Sequence, residues 1–106
     1  MIRRPLPQRR HAETFALAAC NQSLTITTGF YADGALGEVF IDAGKSGQDV
    51  QSIARDAGVM LSVAIQYGTS LETIRHAVTR DSAGEPTSIL GAIVDALSLT
   101  AAEERS

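Results

Sequence analysis

One short run of the sequence, Gly44-Lys45-Ser46, has the composition of a phosphate-binding loop and lies between a strand-like and a helix-like segment. The full motif requires a glycine five residues before Gly44, and that position holds Val39, inside the strand-like segment. A wide loop of backbone amides that would cradle phosphates is therefore not expected. Lys45 beside a helix N-terminus could still hold one anionic group weakly, and we list it as an anion or partner contact.

Two carboxylates, Glu38 and Asp42, lie four residues apart in a strand-like segment and so share a face with Phe40 between them. Paired carboxylates can perform acid–base chemistry. Charges on a strand face are more often solvated or paired with a cation, and we favour that interpretation.

The remaining reactive side chains are isolated along the chain. His11 and His76 are far apart, without the spacing of a zinc site, and are expected to be surface histidines. Cys20 is the single cysteine, so it cannot form an internal disulfide or a redox pair. A buried, inert thiol is favoured over a reactive one. We therefore predict no catalytic, cofactor-binding or metal-binding residue.

The first half of the chain has the pattern of three antiparallel strands, at about 13–20, 23–31 and 36–43. Asp33-Gly34 predicts a two-residue type I′ hairpin turn, in which both residues have positive φ. With that turn Phe30 would lie opposite Gly37, Thr28 opposite Val39, and Ile26 opposite Ile41.

One face of the predicted hairpin carries Ile26, Thr28, Phe30, Val39 and Ile41 and is expected to face the core. The second face is too apolar for a surface simply exposed to water. Either it is an association surface, or another part of the chain covers it. The predicted interface residues are Tyr31, Leu36, Phe40, Thr25 and Thr27.

The second half of the chain changes to the helical period. Helices are predicted at about 47–67, 70–80 and 86–103, with Ser46 and Thr69 as N-caps and Pro86 in the first turn of the third. Gly58, inside the first helix, suggests a close backbone approach. The fold class is α+β, a three-stranded antiparallel sheet followed by three helices packed on one face.

Charge divides the chain into a basic arm, 1–11, and a single domain, 12–104. Net charge is −3, but residues 1–10 hold four arginines and no acid, so the remainder has five basic and twelve acidic residues, or −7. An acidic body disfavours nucleic-acid binding, whereas the arm could contact phosphates or an acidic partner. We expect the arm to be extended, either as a mobile tail or docked on a partner or polyphosphate. The arm residues concerned are Arg3, Arg4, Arg9 and Arg10.

Two motifs resemble one known family: Thr28 to Asp42, TGFYADGALGEVFID, and Gln66 to Glu72, QYGTSLE. They are similar to the TSCPD-type domain near the C-terminus of adenosylcobalamin-dependent (class II) ribonucleotide reductases, which also occurs free-standing. The resemblance covers nearly the whole chain. The barrel and redox cysteines of those enzymes have no counterpart here, and neither does the family's cysteine-rich segment. The resemblance therefore implies kinship and fold, but it carries over no catalytic, cobalamin or metal residue.

The expected function is that of a free-standing, non-catalytic accessory domain that associates with itself or docks on a larger protein. The alternative is a reductase component that completes or regulates the enzyme in trans. No cofactor is expected in this chain, since adenosylcobalamin belongs to the larger relatives. Nucleotide or nucleic-acid binding is only weakly supported. No signal peptide or membrane-spanning stretch is recognised, and a single reduced thiol favours the cytoplasm.

Overall fold

A computed structural model describes residues 2–44 and 47–105, with side chains described through residue 99. The chain divides into two compact units, Met1–Thr69 and Ser70–Ser106. The first holds strands β1 (Ala12–Ala19), β2 (Gln22–Phe30) and β3 (Leu36–Asp42) and helix α1 (Gln48–Gln66). The second holds helices α2 (Leu71–Ala77) and α3 (Ile89–Arg105). The predicted α+β class, a three-stranded antiparallel sheet followed by three helices, is confirmed.

The sheet has the order β1-β2-β3, and its inner face forms the core of the first unit. The predicted pairs Ile26–Ile41 and Thr28–Val39 are present. All four of these residues are buried, and Thr28 satisfies its hydroxyl by donating to the Glu13 carbonyl at 3.3 Å.

The predicted type I′ turn at Asp33-Gly34 was wrong. Of these two residues only Gly34 has positive φ, +89°. Its N–H donates to the Tyr31 carbonyl at 2.9 Å, and the Tyr31 N–H donates to Ala35 at 2.8 Å. These bonds define a three-residue loop with a left-handed last residue. Asp33 instead uses its carboxylate to accept from the Ala35 N–H at 2.9 Å, which stabilises its ordinary backbone conformation.

The longer loop also shifts the pairing of β2 with β3. Phe30 lies opposite Leu36 rather than Gly37, and the next pair is Gly29 with Glu38. Gly37 is therefore the extra residue of a β-bulge. A Cβ at this position would collide with the side chains of Leu6 and Tyr31, which explains the glycine.

The turn with two positive φ angles lies between β1 and β2, at Cys20 (54°) and Asn21 (61°). Asparagine is tolerated in this conformation, whereas cysteine is unusual there. Cys20 is exposed, so the prediction of a buried thiol was wrong. The turn needs these two residues outside the sheet, and this requirement outweighs the preference of a thiol for burial.

Helix α1 packs its small residues against β3. A Cβ at Gly58 would lie 3.0 Å from the Val39 carbonyl oxygen and 3.3 Å from Ile41, so the predicted close approach is confirmed. The buried face centres on Ala54, Gly58 and Leu61, while Ile53 is 63% exposed. The predicted cap Ser46 lies outside the described residues, and the N-cap position is Gly47.

In the second unit both helices begin later than predicted. The N-cap of α2 is Ser70, not Thr69, because the Ser70 hydroxyl accepts from the Thr73 N–H at 3.1 Å. Pro86 precedes α3 and pairs with Arg80 in an isolated β-bridge. The Ser88 hydroxyl accepts from the Gly91 N–H at 3.1 Å and so caps α3 instead. Ile93, Val94 and Leu97 are buried on α3.

Across the described ranges, every helix is too short or too polar to cross a lipid bilayer.

Candidate docking surface on the sheet

The outer face of the sheet, which lies opposite the core, carries an exposed aromatic side chain. Phe40 is 54% exposed and lies opposite Thr27 on β2. Thr25 is exposed, and Thr27 is half-buried with its hydroxyl 3.2 Å from that of Thr14. We call the surface formed by Phe40, Thr25, Thr27 and Thr14 the outer sheet face.

Of the five predicted interface residues, Phe40 and Thr25 are exposed, and the other three are buried or half-buried. Tyr31 is only 6% exposed, and Leu36 is half-buried. The Tyr31 hydroxyl donates to the Arg4 carbonyl at 2.8 Å, and the Arg4 guanidinium lies 3.7 Å from the centre of its ring. The arm therefore covers Tyr31, as one of the two sequence alternatives proposed, and leaves Phe40 open.

The arm is held along the first unit by its own residues. The Arg4 N–H donates to the Gln66 carbonyl at 2.8 Å, and the Arg3 guanidinium donates to the Gln66 side-chain oxygen. The Gln66 side-chain amide donates in turn to the Gly37 carbonyl at 2.9 Å. Gln66 thus joins the arm, the end of α1 and the bulge of β3.

Two of the four arm arginines contact acids of the same chain. Arg4 pairs with Asp33 at 3.0 Å, and Arg10 pairs with Glu38, whose side chain is only 12% exposed. The Ala35 N–H, and then Arg4, lower the pKa of Asp33 below its usual value. Arg9 is exposed. Lys45, the remaining predicted anion contact, lies outside the described residues.

The two carboxylates considered for acid–base chemistry have separate partners. Glu38 accepts from Arg10, and its side chain lies over Gly29, where a Cβ would collide with it. Asp42 accepts from the Gln51 side-chain amide at 2.9 Å and from the Gly44 N–H at 2.7 Å. These bonds lower the pKa of Asp42, with the Gln51 bond contributing most. Both carboxylates are thus bonded to donors of the same chain, and they do not form a pair with each other.

The two histidines lie on the surface. His76 is 2.7 Å from Glu72, one helical turn away, and His11 is 3.2 Å from Glu13 and stacks obliquely on Phe30. Among the side chains that the structure describes, no three His, Cys, Asp or Glu residues converge as metal ligands would.

Sequence reasoning missed the polar side chains that α1 presents to β3. Ser62 and Gln66 are buried, although both are ordinary surface residue types. A helical projection does place Gly58, Ser62 and Gln66 in the buried i, i+4 row. The sequence signal that could have identified them is their position in the same row as Gly58, where α1 comes closest to β3.

Comparison with known proteins gives the family. The TSCPD domain matches residues 3–101, and the chain belongs to that family. It is 34% identical over 77 residues, 73% of its length, to a vitamin B12-dependent ribonucleotide reductase of Bradyrhizobium diazoefficiens. It is 36% identical over 72 residues, 68% of its length, to a protein of the same name from Rhodopirellula baltica. No solved structure matches the chain.

The matched part is a small fraction of each relative. It covers 6% of the Bradyrhizobium protein and 7% of the Rhodopirellula protein, and 12% of a namesake in Streptantibioticus cattleyicolor, which is 32% identical over 72 residues. The chain therefore spans about an eighth or less of the curated relatives that it matches.

Proposed function

We propose that this chain is a non-catalytic accessory domain that docks, through the outer sheet face, on a larger protein of the ribonucleotide reductase class. Its relatives carry the corresponding segment within much longer reductase chains, so a reductase-class polypeptide is the partner that kinship favours. The oxidoreductase chemistry, DNA-precursor synthesis and cobalamin use that the relatives' name implies would belong to that partner. Adenosylcobalamin and nucleotides would accordingly bind there and not to this chain.

The observation that carries the proposal is the exposure of Phe40. A phenylalanine on the face of a sheet normally lies under another layer, because its burial stabilises a protein by about 1.5–3 kcal/mol. Here it is 54% exposed, whereas Tyr31 is covered by the arm. Within protein interfaces, aromatic side chains are enriched among the residues that contribute most of the binding energy.

The chemistry of the outer sheet face favours an apolar partner surface with a hydrogen-bonding rim. Thr27 lies opposite Phe40, and the carboxylates that flank Phe40 on the same face of β3, Glu38 and Asp42, are already bonded to donors of this chain. A docked protein would thus bury little uncompensated charge, which keeps its desolvation cost low.

The test is binding of the purified chain to a vitamin B12-dependent ribonucleotide reductase that lacks its own TSCPD segment, measured by calorimetry. We expect saturable binding, and about a tenfold or greater loss of affinity for Phe40→Ser. Ile53→Ser, a matched control on the exposed side of α1, should bind as the unmodified chain does. Absence of binding, or equal losses in both variants, would overturn the proposal.

The non-catalytic part of the proposal has a separate test. Ribonucleoside diphosphate and adenosylcobalamin are titrated individually into this chain alone at millimolar concentration. No heat of binding is expected for either. A saturable signal from one of them would assign this chain a share of the reductase site, and the accessory role would then be wrong.

A further inference from the structure

The two edges of the sheet differ in how their free backbone groups are satisfied. At β3, the Val39 N–H donates to the Ser62 hydroxyl at 2.8 Å, and the Val39 carbonyl lies 3.0 Å from the same oxygen. The Gly37 carbonyl accepts from Gln66 at 2.9 Å, and the Ala43 N–H donates to Gln51 at 2.7 Å. Helix α1 thus closes this edge, a common protection against unwanted strand pairing.

The bonds of Val39 also reveal which groups of β1 face outward. The backbone N–H and C=O of Val39 point away from β2. The backbone of the opposite residue, Thr28, therefore does not bond to β3. Thr28 must therefore direct its backbone groups to Glu13 on β1. Phe30, two residues further along β2, does the same, because its N–H donates to the His11 carbonyl at 3.0 Å. Alternation along β1 then leaves a second set of residues with N–H and C=O directed away from the sheet. These residues are Ala12, Thr14, Ala16 and Ala18.

Within the first unit, no described residue covers this edge in the way that α1 covers β3. All four outward-directed residues are exposed. The core-facing residues Phe15 and Leu17 are only half-buried, although their partners on β2, Ile26 and Leu24, are almost completely buried. At β1, therefore, the outward backbone groups have no strand beside them, and the apolar side chains of the inner face are only partly buried. This eight-residue edge strand has no lysine and no proline, and Glu13 is its one charged side chain among the features that commonly discourage pairing.

We infer that β1 pairs antiparallel with β1 of a second copy of this chain, forming one continuous sheet about a two-fold axis at Phe15. In this register Ala12 lies opposite Ala18 of the other copy and Thr14 opposite Ala16, so every outward-directed residue finds a partner. Centring the axis on Ala16 would instead place Ala12 opposite Cys20, a turn residue with positive φ that cannot continue a ladder.

The side chains of β1 favour a second copy as the occupant of this edge. In the Phe15 register the two Phe15 rings meet at a closely spaced pair on the inner face. Glu13 is the one charged residue of β1, and it faces Leu17 rather than the other Glu13. The strand is thus complementary to itself, with aromatic meeting aromatic and no opposed like charges. This pairing goes beyond the proposed docking, since it uses an edge and not the outer sheet face.

The first test is the mass of the chain in solution, by light scattering after size exclusion at high protein concentration. We expect about 22 kDa, twice the chain mass of 11.2 kDa. Ala16→Pro removes an outward N–H and is tolerated on an unpaired edge, so it should give a folded monomer. Ala16→Ser keeps the N–H and should remain dimeric. A monomeric unmodified chain, or a dimeric Ala16→Pro variant, would overturn the inference.

Cross-linking tests the register and does not depend on the proline variant folding. In a Cys20→Ser background, a mixture of Thr14→Cys and Ala16→Cys chains should form a disulfide between unlike chains, because directly opposed Cα atoms are about 5.5 Å apart. Each variant alone should cross-link about tenfold less, since its own cysteines lie two residues out of register. Equal cross-linking in the mixture and in Ala16→Cys alone would refute the register.

These outcomes are separable from those of the proposed function. Ala16→Pro should still bind the reductase, and Phe40→Ser should still dimerise. If a reductase-class partner, and not a second copy, protects the β1 amides from hydrogen exchange, self-pairing is wrong while docking stands.

Discussion

The Ser62 hydroxyl is 2.8 Å from the Val39 nitrogen and 3.0 Å from the Val39 oxygen, so one side chain of α1 satisfies both free groups of a β3 residue. The same hydroxyl is 2.8 Å from the Gly58 carbonyl, one turn earlier in its own helix. Because Gly58 has no Cβ, α1 lies close enough to β3 for this contact. The contact between Ser62 and Val39 explains why the backbone groups at the β3 edge are hydrogen-bonded within the chain.

Ser62→Ala should lower the free energy of unfolding by about 1–3 kcal/mol, because the buried Val39 N–H loses its acceptor. Urea denaturation followed by circular dichroism measures this change. Ser52→Ala, at an exposed position of the same helix, is the matched control and should be neutral or slightly stabilising. Equal effects of the two substitutions would show that the Ser62–Val39 contact contributes nothing.

Gln66→Ala should loosen the arm as well as destabilise the first unit. The substitution removes the bonds of Gln66 to Gly37 and Arg3, and a buried carbonyl left unpaired costs about 1–3 kcal/mol. We expect faster trypsin cleavage after the arm arginines, measured by mass spectrometry under native conditions. Gln48→Ala, exposed at the start of α1, should leave the cleavage rate unchanged. An unchanged rate in Gln66→Ala would show that the arm is held by other contacts.

Two substitutions distinguish the observed loop between β2 and β3 from a type I′ turn. Gly34→Ala should destabilise by about 1–2 kcal/mol, because Gly34 has φ of +89°. Asp33→Gly should also destabilise, because the carboxylate that accepts from Ala35 is lost. In a type I′ turn Asp33 would itself need positive φ, and glycine there would stabilise. Thermal melts of the two variants therefore distinguish the two turns by the sign of the Asp33→Gly effect.

The second unit should lose stability in acid through the pair of Arg80 and Asp95. Both Asp95 oxygens accept from Arg80 at 2.8 Å, and these bonds lower the pKa of Asp95. A carboxyl whose pKa is lowered by folding stabilises the protein above its unfolded pKa of about 3.9, and this stabilisation is lost as pH falls through the folded value.

Asp95→Asn should therefore be less stable than the unmodified chain at neutral pH, and the difference should shrink as the pH falls below about 4. Hydrogen exchange of the α2 and α3 amides between neutral pH and pH about 3 follows this region specifically. Asp56→Asn, an exposed acid of α1, is the control and should leave the exchange of these amides unchanged. A difference between Asp95→Asn and the unmodified chain that persists unchanged in acid would contradict the assignment.

Local patterns were enough to predict the class of the fold. Alternating residues from Ser23 to Ala43 identified the central hairpin, and the pairs Ile26–Ile41 and Thr28–Val39 were correct because strand periodicity does not depend on the turn type. The TSCPD motifs gave the family for the same reason, since they are contiguous in the chain. Gly58 also signalled its role, because a glycine inside a helix is costly unless something lies close to it.

The tertiary structure decided which surfaces are open. Tyr31 and Phe40 were placed together on an apolar face, but the bulge at Gly37 and the docked arm cover Tyr31 and leave Phe40 exposed. The sequence likewise does not show which edge of the sheet is covered, and the packing of α1 closes the edge at β3. Coverage depends on contacts between residues far apart in the chain, such as Arg4 with Tyr31 and Ser62 with Val39. Periodicity reports only what neighbours along the chain share, so it cannot contain that information.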